Sequence, residues 1–316
     1  MAEQSDDAEI RVLLRNNPMR GRVSISLERE PNYFADADIL GDSKQTIVAR
    51  ENSRLVCVGS SSVRNRFVNG VSRRVDYLGG LRLDESCAGR FDILRRGYEF
   101  FRELQEDDPA DFYFTSIASD NERARRFLQR GFKGMPKYEF VGEFVTLVLS
   151  TRRSSRQIDC TANDYGRRQF APCWSREELG FRGIAPEGSV WDQRAFKQTV
   201  VRDYAEPIRR LRWIINVFNR LMGAPTLPRI GQPLSIAFGV GAAGHNVGAL
   251  VRKAREIGLE MLVVGFDAND PCLDIVRKKF RGQEYRSRIY VVRWPGIGAS
   301  ADDLDRRLLG PEVALL

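Results

Sequence analysis

The chain has 316 residues, 42% of them hydrophobic, and its 50 Lys and Arg against 42 Asp and Glu give a net charge of +8. This length suggests two domains, each with a core of its own. The positive charge favours anionic partners such as a phosphorylated cofactor, but acids are interspersed among most of the arginines, which argues against nucleic acid.

The chain also lacks the patterns of secretion, membrane insertion and metal binding. Its start, MAEQSDDAEI, contains no basic region followed by an apolar run, and nowhere do 18 apolar residues occur together. One His and five widely spaced Cys provide no zinc-ligand spacing. We therefore expect a cytoplasmic protein with no metal and no membrane partner.

The predicted elements begin with a short helix that Asp6 or Asp7 caps. A strand follows over residues 23–27, where apolar and polar residues alternate, and Pro31 opens a second short helix. Further strands are predicted at residues 45–50, 54–58 and 71–83.

Residues 77–104 combine a strand, a turn of small residues and a long amphipathic helix. The strand alternates with a period of two up to Leu83. Beyond Ser86, Ala88 and Gly89, apolar residues recur at helical spacing. A helix that begins at such a turn presents unpaired N–H groups and the positive end of its dipole. The stretch therefore predicts a site for an anionic group such as a phosphate.

A second strand and helix follow. Residues 112–116 form the predicted strand, and residues 120–132 form the helix, which Asp120 or Asn121 caps. A strand at residues 141–149 completes the predicted sheet of this half.

The first of these motifs resembles the acetyl-CoA loop of the GCN5-related N-acetyltransferase superfamily, Arg/Gln-x-x-Gly-x-Gly/Ala between the fourth strand and the third helix. In this alignment Ala88 stands at the Arg/Gln position, and Phe91 and Ile93 stand at the two glycine positions. Gly89 remains in the loop, and Arg90 adds a positive charge.

The second motif strengthens the resemblance. The superfamily places Asn-x-x-Ala on the helix after its fifth strand, and Asn121 and Ala124 match that pattern. Leu128 stands where the superfamily usually has a Tyr that protonates the departing CoA thiolate. The resemblance therefore covers cofactor binding more fully than catalysis.

The second half of the chain repeats the order of elements of the first. Asn121 and Phe132 have counterparts in Asn269 and Phe280 at one common displacement. A basic, Ser-rich segment separates the two halves. The predicted division is an N-terminal domain at residues 1–150, a linker at 151–158 and a degenerate second domain at 159–316.

Three glycines of the second half, Gly239, Gly241 and Gly244, match Gly-x-Gly-x-x-Gly between a strand and a helix. The elements upstream do not alternate as a doubly wound dinucleotide fold requires. In a second acetyltransferase-like module these glycines would lie in the pyrophosphate loop, so they provide a competing CoA site.

The resemblance implies an α+β fold with a mixed sheet. It consists of two tandem acyl-CoA N-acyltransferase-like domains, each a mostly antiparallel twisted sheet flanked by helices. It also implies transfer of an acetyl group from acetyl-CoA to a small-molecule or peptide amine by direct attack in a ternary complex. The implied cofactor-binding residues are Leu81, Leu83, Ala88, Gly89, Arg90, Phe91 and Asn121.

The same resemblance suggests catalytic and acceptor-binding residues. Asp76 or Asp84 would remove the amine proton, directly or through water. With Leu128 at the usual Tyr position, either Tyr113 or Tyr138 would be the acid, or water would serve. The candidate acceptor-binding residues are Glu30, Tyr33 and Phe34.

Two other functions stay open at this point. Ala88, Phe91 and Leu128 depart from the superfamily pattern, which allows a catalytically degenerate regulatory protein that binds acyl-CoA. A basic nucleic-acid-associated protein would need Lys and Arg clustered on one surface together with exposed aromatic rings. The sequence does not specify an oligomeric state.

Overall fold

The structure is a computed structural model that describes residues 1–36, 41–152, 167–174, 188–280 and 282–316. Most of the predicted linker, residues 153–158, lies outside the described residues. The α-helices within the described residues are α1 (Asp7–Asn16), α2 (Phe91–Leu104), α3 (Glu122–Leu128), α4 (Glu206–Met222), α5 (Val247–Glu256) and α6 (Pro271–Lys279).

The strands within the described residues fall into a group before the predicted linker and a group after it. The first group is β1 (Val23–Glu28), β2 (Ser43–Glu51), β3 (Arg54–Val68), β4 (Val71–Leu83), β5 (Phe112–Ala118) and β6 (Lys137–Ser150). The second group is β7 (Ser189–Trp191), β8 (Gln198–Tyr204), β9 (Ile236–Val240), β10 (Met261–Asp267) and β11 (Gly282–Arg293).

Nine of these strands form one mixed sheet in the order β2-β3-β4-β5-β11-β6-β10-β9-β7, and β1 pairs with β8 in a separate sheet. The β4–β5 and β9–β10 pairs are parallel, and the other pairs are antiparallel. The predicted α+β fold with a mixed, mostly antiparallel sheet flanked by helices is therefore confirmed.

The last strand of each half lies among the strands of the other half. β11 is inserted between β5 and β6 and pairs with both, and the other edge of β6 pairs with β10. The sequence predicts that residues 141–149 complete the sheet of the first half, but both neighbours of this strand come from the second. Alternation of apolar and polar residues determines which face of a strand is buried, and it does not identify the neighbouring strand.

The two halves contain the same succession of elements. It is β4-α2-β5-α3-β6 in the first half and β9-α5-β10-α6-β11 in the second. The parallel pairs give the correspondence between residues, because Asp76 lies opposite Tyr113 in one half and Ala237 lies opposite Leu262 in the other. The boundary at residues 151–158 stays a prediction.

Helices cover the sheet with their apolar faces. In α5, Val247, Leu250, Val251 and Ala254 recur at helical spacing and are buried against the strands. Full burial of one Leu or Val side chain contributes about 1.5–3 kcal/mol to stability. α2 buries only Ile93 and Phe101, because much of its inner face lines a cavity.

Candidate functional site

β4 and β5 separate part-way along their length. Their parallel pairing covers residues 75–77 of β4 and 112–114 of β5. At the next position the Thr115 hydroxyl donates to the Leu78 carbonyl at 2.6 Å. Beyond this point the strands splay, and none of the described strands pairs with the edge of β4 that faces β5. This edge is free to pair with an extended ligand.

A β-bulge lies in β4 at the start of the splayed part. Gly80 and Leu81 of β4 together oppose Gly59 of β3, since the register shifts between Val58 and Ser60. Gly80 has a φ of +66°, a conformation that L residues other than glycine rarely adopt. A Cβ atom at Gly80 would lie 2.9 Å from the Ser60 hydroxyl oxygen. The bulge therefore requires glycine here.

The gap between the splayed strands opens into a cavity of about 1180 Å³. β3, β4 and the inner face of α2 line it, and so do Lys197, Ser287 and residues 315–316 of the second half. Ligand pockets are typically about 300–1,000 Å³, so the cavity has room for a cofactor segment and a second small molecule.

Several of the predicted cofactor-binding residues lie at this cavity. Leu81 and Leu83 line it from the splayed part of β4. Asn121 also lines it, and its side-chain oxygen caps α3 by accepting a hydrogen bond from the Ala124 N–H at 3.1 Å. The structure thus brings the predicted strand residues and the predicted Asn to one space.

The predicted phosphate loop lies between the 3-10 helix Glu85–Cys87 and α2. Gly89 has a φ of +93°, and Ala88 ends the 3-10 helix. The N-cap of α2 is Arg90, and its side chain makes no capping hydrogen bond to the first turn. The Asp92 carboxylate accepts from its own N–H in that turn, which leaves the other first-turn amides for an anion. There the helix dipole adds about 0.3–1 kcal/mol.

Two predicted residues of the loop already have protein partners. The Arg90 guanidinium contacts the carboxylates of Asp92 and Glu51 at 2.8–2.9 Å. Phe91 packs against Phe127 and Phe132, with ring centroids 5.5 and 4.6 Å away. Phe91 therefore anchors the start of α2 against the segment around α3.

The three predicted catalytic residues lie away from the cavity surface. Asp76 is fully buried, and burial raises its pKa to about 7. The Asp84 carboxylate accepts from the Ser86 N–H at 3.0 Å, and its bonds to Ser86 are the main cause of its lowered pKa. The Tyr113 hydroxyl accepts from the Ala110 N–H at 2.9 Å, and burial raises its pKa to about 12.

A pair of hydrogen-bonded tyrosines lines the cavity instead. Tyr98 of α2 and Tyr138 of β6 have hydroxyl oxygens 2.5 Å apart. Burial raises the pKa of Tyr98 to about 12 and that of Tyr138 well above its ordinary value. Leu128, which stands at the usual Tyr position, is buried and lines the same cavity. The sequence pattern suggested Tyr138 as an alternative acid but assigned Tyr98 only to an apolar helix face.

The three predicted acceptor-binding residues divide between cavity and surface. Tyr33 is buried and lines the cavity. Phe34 lies edge-on to the Tyr33 ring, with centroids 5.1 Å apart. Glu30 forms ion pairs with Arg11 at 2.5 Å and Arg15 at 2.7 Å, and it does not line the cavity. The structure brings only Tyr33 of this set to the site.

Basic side chains that the sequence reasoning missed also line the cavity, among them Arg29, Lys44 and Lys197. Arg29 Nε lies 3.1 Å from Asp36 Oδ2, and Lys44 forms an ion pair with the same carboxylate. Lys197 Nζ donates to the main-chain oxygen of Leu316 at 2.7 Å, and burial lowers the pKa of Lys197 to about 7. The site therefore includes a cationic region built from both halves.

In the second half the corresponding gap is occupied by the chain itself. The β9–β10 pairing ends at Phe238 and Val263. Beyond it, the Gly241 N–H donates to the Glu312 carboxylate at 2.9 Å, and the 3-10 helix Val313–Leu315 packs against both strands. The amide that would meet a phosphate in this loop already has an anionic partner.

The fold was compared with those of known proteins. No protein-family model and no curated protein matches the sequence. The chain is similar in structure to Saccharomyces cerevisiae N-myristoyltransferase with bound myristoyl-CoA and inhibitors. The TM-score is 0.54 at 11% identity, over 96% of this chain and 82% of that one.

Two bacterial structures have lower scores. For the GCN5-related N-acetyltransferase from Kribbella flavida the TM-score is 0.36 at 12% identity, over 78% of this chain and 60% of that one. For a probable N-acyltransferase from Enterococcus faecalis V583 the TM-score is 0.44 at 9% identity, over 91% of this chain and 70% of that one.

The chain thus has the acyl-CoA N-acyltransferase fold, in a form with two fused halves. This is the fold that the resemblance in the sequence implied. Within the described ranges, no helix is both long and apolar enough to cross a membrane. The same part of the chain contains no group of three or more His, Cys, Asp or Glu arranged to hold a metal ion.

Proposed function

We propose that the protein is an N-acyltransferase that moves an acetyl group from acetyl-CoA to an amine in a ternary complex. The observation that carries the proposal is the gap between the splayed parts of β4 and β5. It opens into the cavity, which extends to the first turn of α2 at Ile93 and to the polar side chains around Tyr33.

In the proposed complex the cofactor lies along the free edge of β4. The pantetheine arm pairs with the backbone of Leu81 and Leu83, near Asn121. The diphosphate lies at the uncapped first turn of α2, beside Gly89 and Arg90. Arg90 is more than one-third exposed, so exchanging part of its contact with Asp92 for a phosphate costs little.

The proposed reaction is direct attack of a neutral amine on the thioester carbonyl carbon. The C–N bond forms, the carbonyl oxygen becomes an oxyanion, and the C–S bond then breaks to release the CoA thiolate. A backbone N–H of the splayed strand, that of Leu81 or Leu83, stabilises the oxyanion. Neither Asp76 nor Asp84 lines the cavity, so a carboxylate base would act through water.

The Tyr98–Tyr138 pair takes the role of the acid that protonates the thiolate. Replacing Tyr98 with Phe removes one hydroxyl of the pair and preserves the ring. We expect kcat to fall about 100-fold or more, as for other general acids, with little change in the KM for acetyl-CoA. Tyr285→Phe, on the exposed part of β11, is the matched control. An unchanged kcat in the Tyr98 variant would exclude the pair as the acid.

Two measurements test the proposal as a whole. Acetyl-CoA at 100 times its dissociation constant should raise the unfolding free energy by about 2.7 kcal/mol, which appears as a higher melting temperature. A thiol-release assay with a panel of amines then reports transfer. No melting shift with acetyl-CoA, or with longer acyl-CoA thioesters, would overturn the proposed cofactor.

One observation favours a second function, an acyl-CoA-binding regulatory protein without catalysis. Leu128 is buried at the position where the superfamily has its Tyr, so no acid side chain reaches the site from α3. Acyl-CoA binding without thiol release for any amine would support this function over transfer.

A further inference from the structure

Among the described residues, six basic side chains line the cavity, and two of them, Arg50 and Arg96, pair with acids of α1 and α2 or of the 3-10 helix before α1. The other four are Arg29, Lys44, Arg82 and Lys197. Arg29 and Lys44 share the carboxylate of Asp36. Burial is the main cause that lowers the pKa values of Lys197 and Arg82, and the charge of Arg29 lowers both further. The four cations therefore belong to one electrostatic neighbourhood.

Few acceptors face this cluster within the described residues. Asp36 has no exposed surface and supplies its carboxylate to two of the cations. Lys197 Nζ has the main-chain oxygen of Leu316, and Arg82 Nη1 has the carbonyl of Leu81 at 2.8 Å. Glu51 and Glu85 also line the cavity, but they pair with Arg90 and Arg20. Within the described residues, the side-chain carboxylate of Asp36 does not balance four cations, so the cluster keeps a positive excess.

A positive excess at a buried position opposes folding unless something compensates for it. The Lys44 side chain is only 5% exposed, and Arg29 Nη1 is buried without a hydrogen-bond partner in the described part of the chain. Buried cations lose hydration that only an anion or strong acceptors replace. Unbalanced, desolvated charges in a cavity are typical of a ligand site.

Hydroxyl groups lie in the same cavity and add neutral hydrogen-bonding capacity. Tyr77 and Ser116 line it with their hydroxyl oxygens 3.0 Å apart, and the Tyr33 ring lies 4.7 Å from Lys44 Nζ. A guanidinium such as that of Arg29 binds a carboxylate through two parallel hydrogen bonds, which no single ammonium does.

We propose that the amine acceptor carries a carboxylate, as an amino acid does, and that Arg29 and Lys197 bind this group. That the bound molecule is an acceptor rests on the proposed transfer function. The anion site itself is inferred from the charge balance of the cavity. Arg29 comes from the first half and Lys197 from the second, so the fused halves together would form the specificity pocket.

The test compares the twenty amino acids with their C-terminal amides as acceptors in the thiol-release assay with acetyl-CoA. The two members of each pair differ only in the carboxylate. We expect kcat/KM to be about 10- to 100-fold higher for the carboxylate, the range of hydrogen bonds to a charged group. Equal rates for acids and amides, or faster transfer to the phosphomonoester phosphoethanolamine, would overturn the proposal.

Substitutions test which residues cause the preference for a carboxylate. Arg29→Gln and Lys197→Gln should each reduce the acid-to-amide ratio towards one, with the KM for acetyl-CoA unchanged. Arg29→Lys preserves the charge without the planar fork and should retain part of the ratio. Arg210→Gln, at an exposed arginine of α4, is the control and should retain the full preference. Melting temperatures confirm that each variant is folded.

A binding measurement separates this inference from the proposed function. Calorimetric titration of N-acetyl amino acids and N-acetyl amino acid amides into the wild type requires no turnover. If the acids bind to the wild type but not to Arg29→Gln, while no amine releases thiol, the anion site stands and the transfer function fails. If no N-acetyl amino acid binds, the inference fails whether or not transfer is observed.

Discussion

The two halves of the molecule contain equivalent strand gaps, and only one of them is open. In the first half, β4 and β5 separate beyond Tyr77 and leave a cavity. In the second half, β9 and β10 separate beyond Phe238, and residues 312–315 pack across the gap. The same backbone unit therefore serves as a ligand site in one half and as a docking place for the chain in the other.

The difference lies in a few residues at matched positions. The parallel register places Tyr77 of β4 opposite Phe114, and Phe238 of β9 opposite Val263. In the first half the strand continues through a bulge at Gly80, whereas β9 ends at Val240 and turns at Gly241 towards Glu312. The gap thus stays open in the half where β4 continues past the point of separation. It is filled in the half where residues 312–315 take the place of a ligand.

The largest expected effect comes from the bulge of the open half. Gly80→Ala adds a Cβ atom 2.9 Å from the Ser60 hydroxyl, whereas Gly231→Ala adds one to open space at a similar positive φ of +85°. Both variants should lose about 1–2 kcal/mol from the unfavourable backbone conformation. Only Gly80→Ala should also reduce kcat/KM, by about 100-fold, because it displaces the strand that positions the thioester.

The readouts are thiol release and thermal melting of both variants. Wild-type kcat/KM in a folded Gly80→Ala protein would show that the bulge does not shape the site.

The second expected effect distinguishes the two phosphate-type loops. Gly89 and Gly241 both have positive φ, +93° and +64°. Gly89→Val should abolish the melting shift with acetyl-CoA, which is about 2.7 kcal/mol at 100 times the dissociation constant. Gly241→Val should lower the melting temperature and keep the shift. The reverse pattern would place the cofactor in the second half.

A smaller effect is expected where Glu312 occupies the second gap. Glu312→Gln weakens the hydrogen bond to the Gly241 N–H and should lower the unfolding free energy by about 1–3 kcal/mol. The control is Glu122→Gln, which removes one partner of an exposed ion pair and should cost about 0–1 kcal/mol. Calorimetry should still find one bound acetyl-CoA, because residues 313–315 continue to fill the gap. A second bound molecule would contradict this account.

The last expected effect concerns pH. Asp76 of the first half is matched by Ala237 in the second, and burial raises the pKa of Asp76 from 3.8 to about 7. Between pH 4 and 7 the folded chain holds a proton on this group that the unfolded chain has lost. The group therefore lowers the unfolding free energy as pH rises through this window.

Asp76→Asn removes the pH-dependent contribution of this carboxyl group. The unfolding free energy of the variant relative to the wild type should therefore increase from pH 5 to pH 8. Denaturant unfolding at both pH values measures the change, with Asp274→Asn on the exposed face of α6 as the control. Identical pH dependence in the wild type and the Asp76 variant would contradict a raised pKa.

Local features were predictable from the sequence. The strand, turn and helix around Gly89 and the Asn121 cap depend on residues within one or two turns of one another, and the structure has all of them. The roles of single side chains were harder to predict. Asp84 was a candidate base, but its carboxylate binds the nearby Ser86 N–H, as Asp residues often do after a strand.

The features that depend on distant contacts were not predictable. Arg29 and Lys197 meet in one cavity although they are far apart in sequence, and each alone resembles an ordinary surface charge. For Lys197 the usable signal was its neighbour Phe196, which is apolar and buried. The insertion of β11 between β5 and β6 also left no mark on the local pattern, because consecutive buried residues in β5 and β11 are typical of any interior strand.

The position of β11 has a consequence for the synthesis of this protein. While the ribosome has translated only the first half, β5 and β6 have no partner on the edges that β11 later covers, and such exposed edges invite pairing with other chains. The sheet is complete only after residues 282–293 have emerged from the exit tunnel. We therefore expect the nascent chain to depend on chaperones until late in translation. We also expect the two halves to be inherited as one gene, because neither half completes its sheet alone.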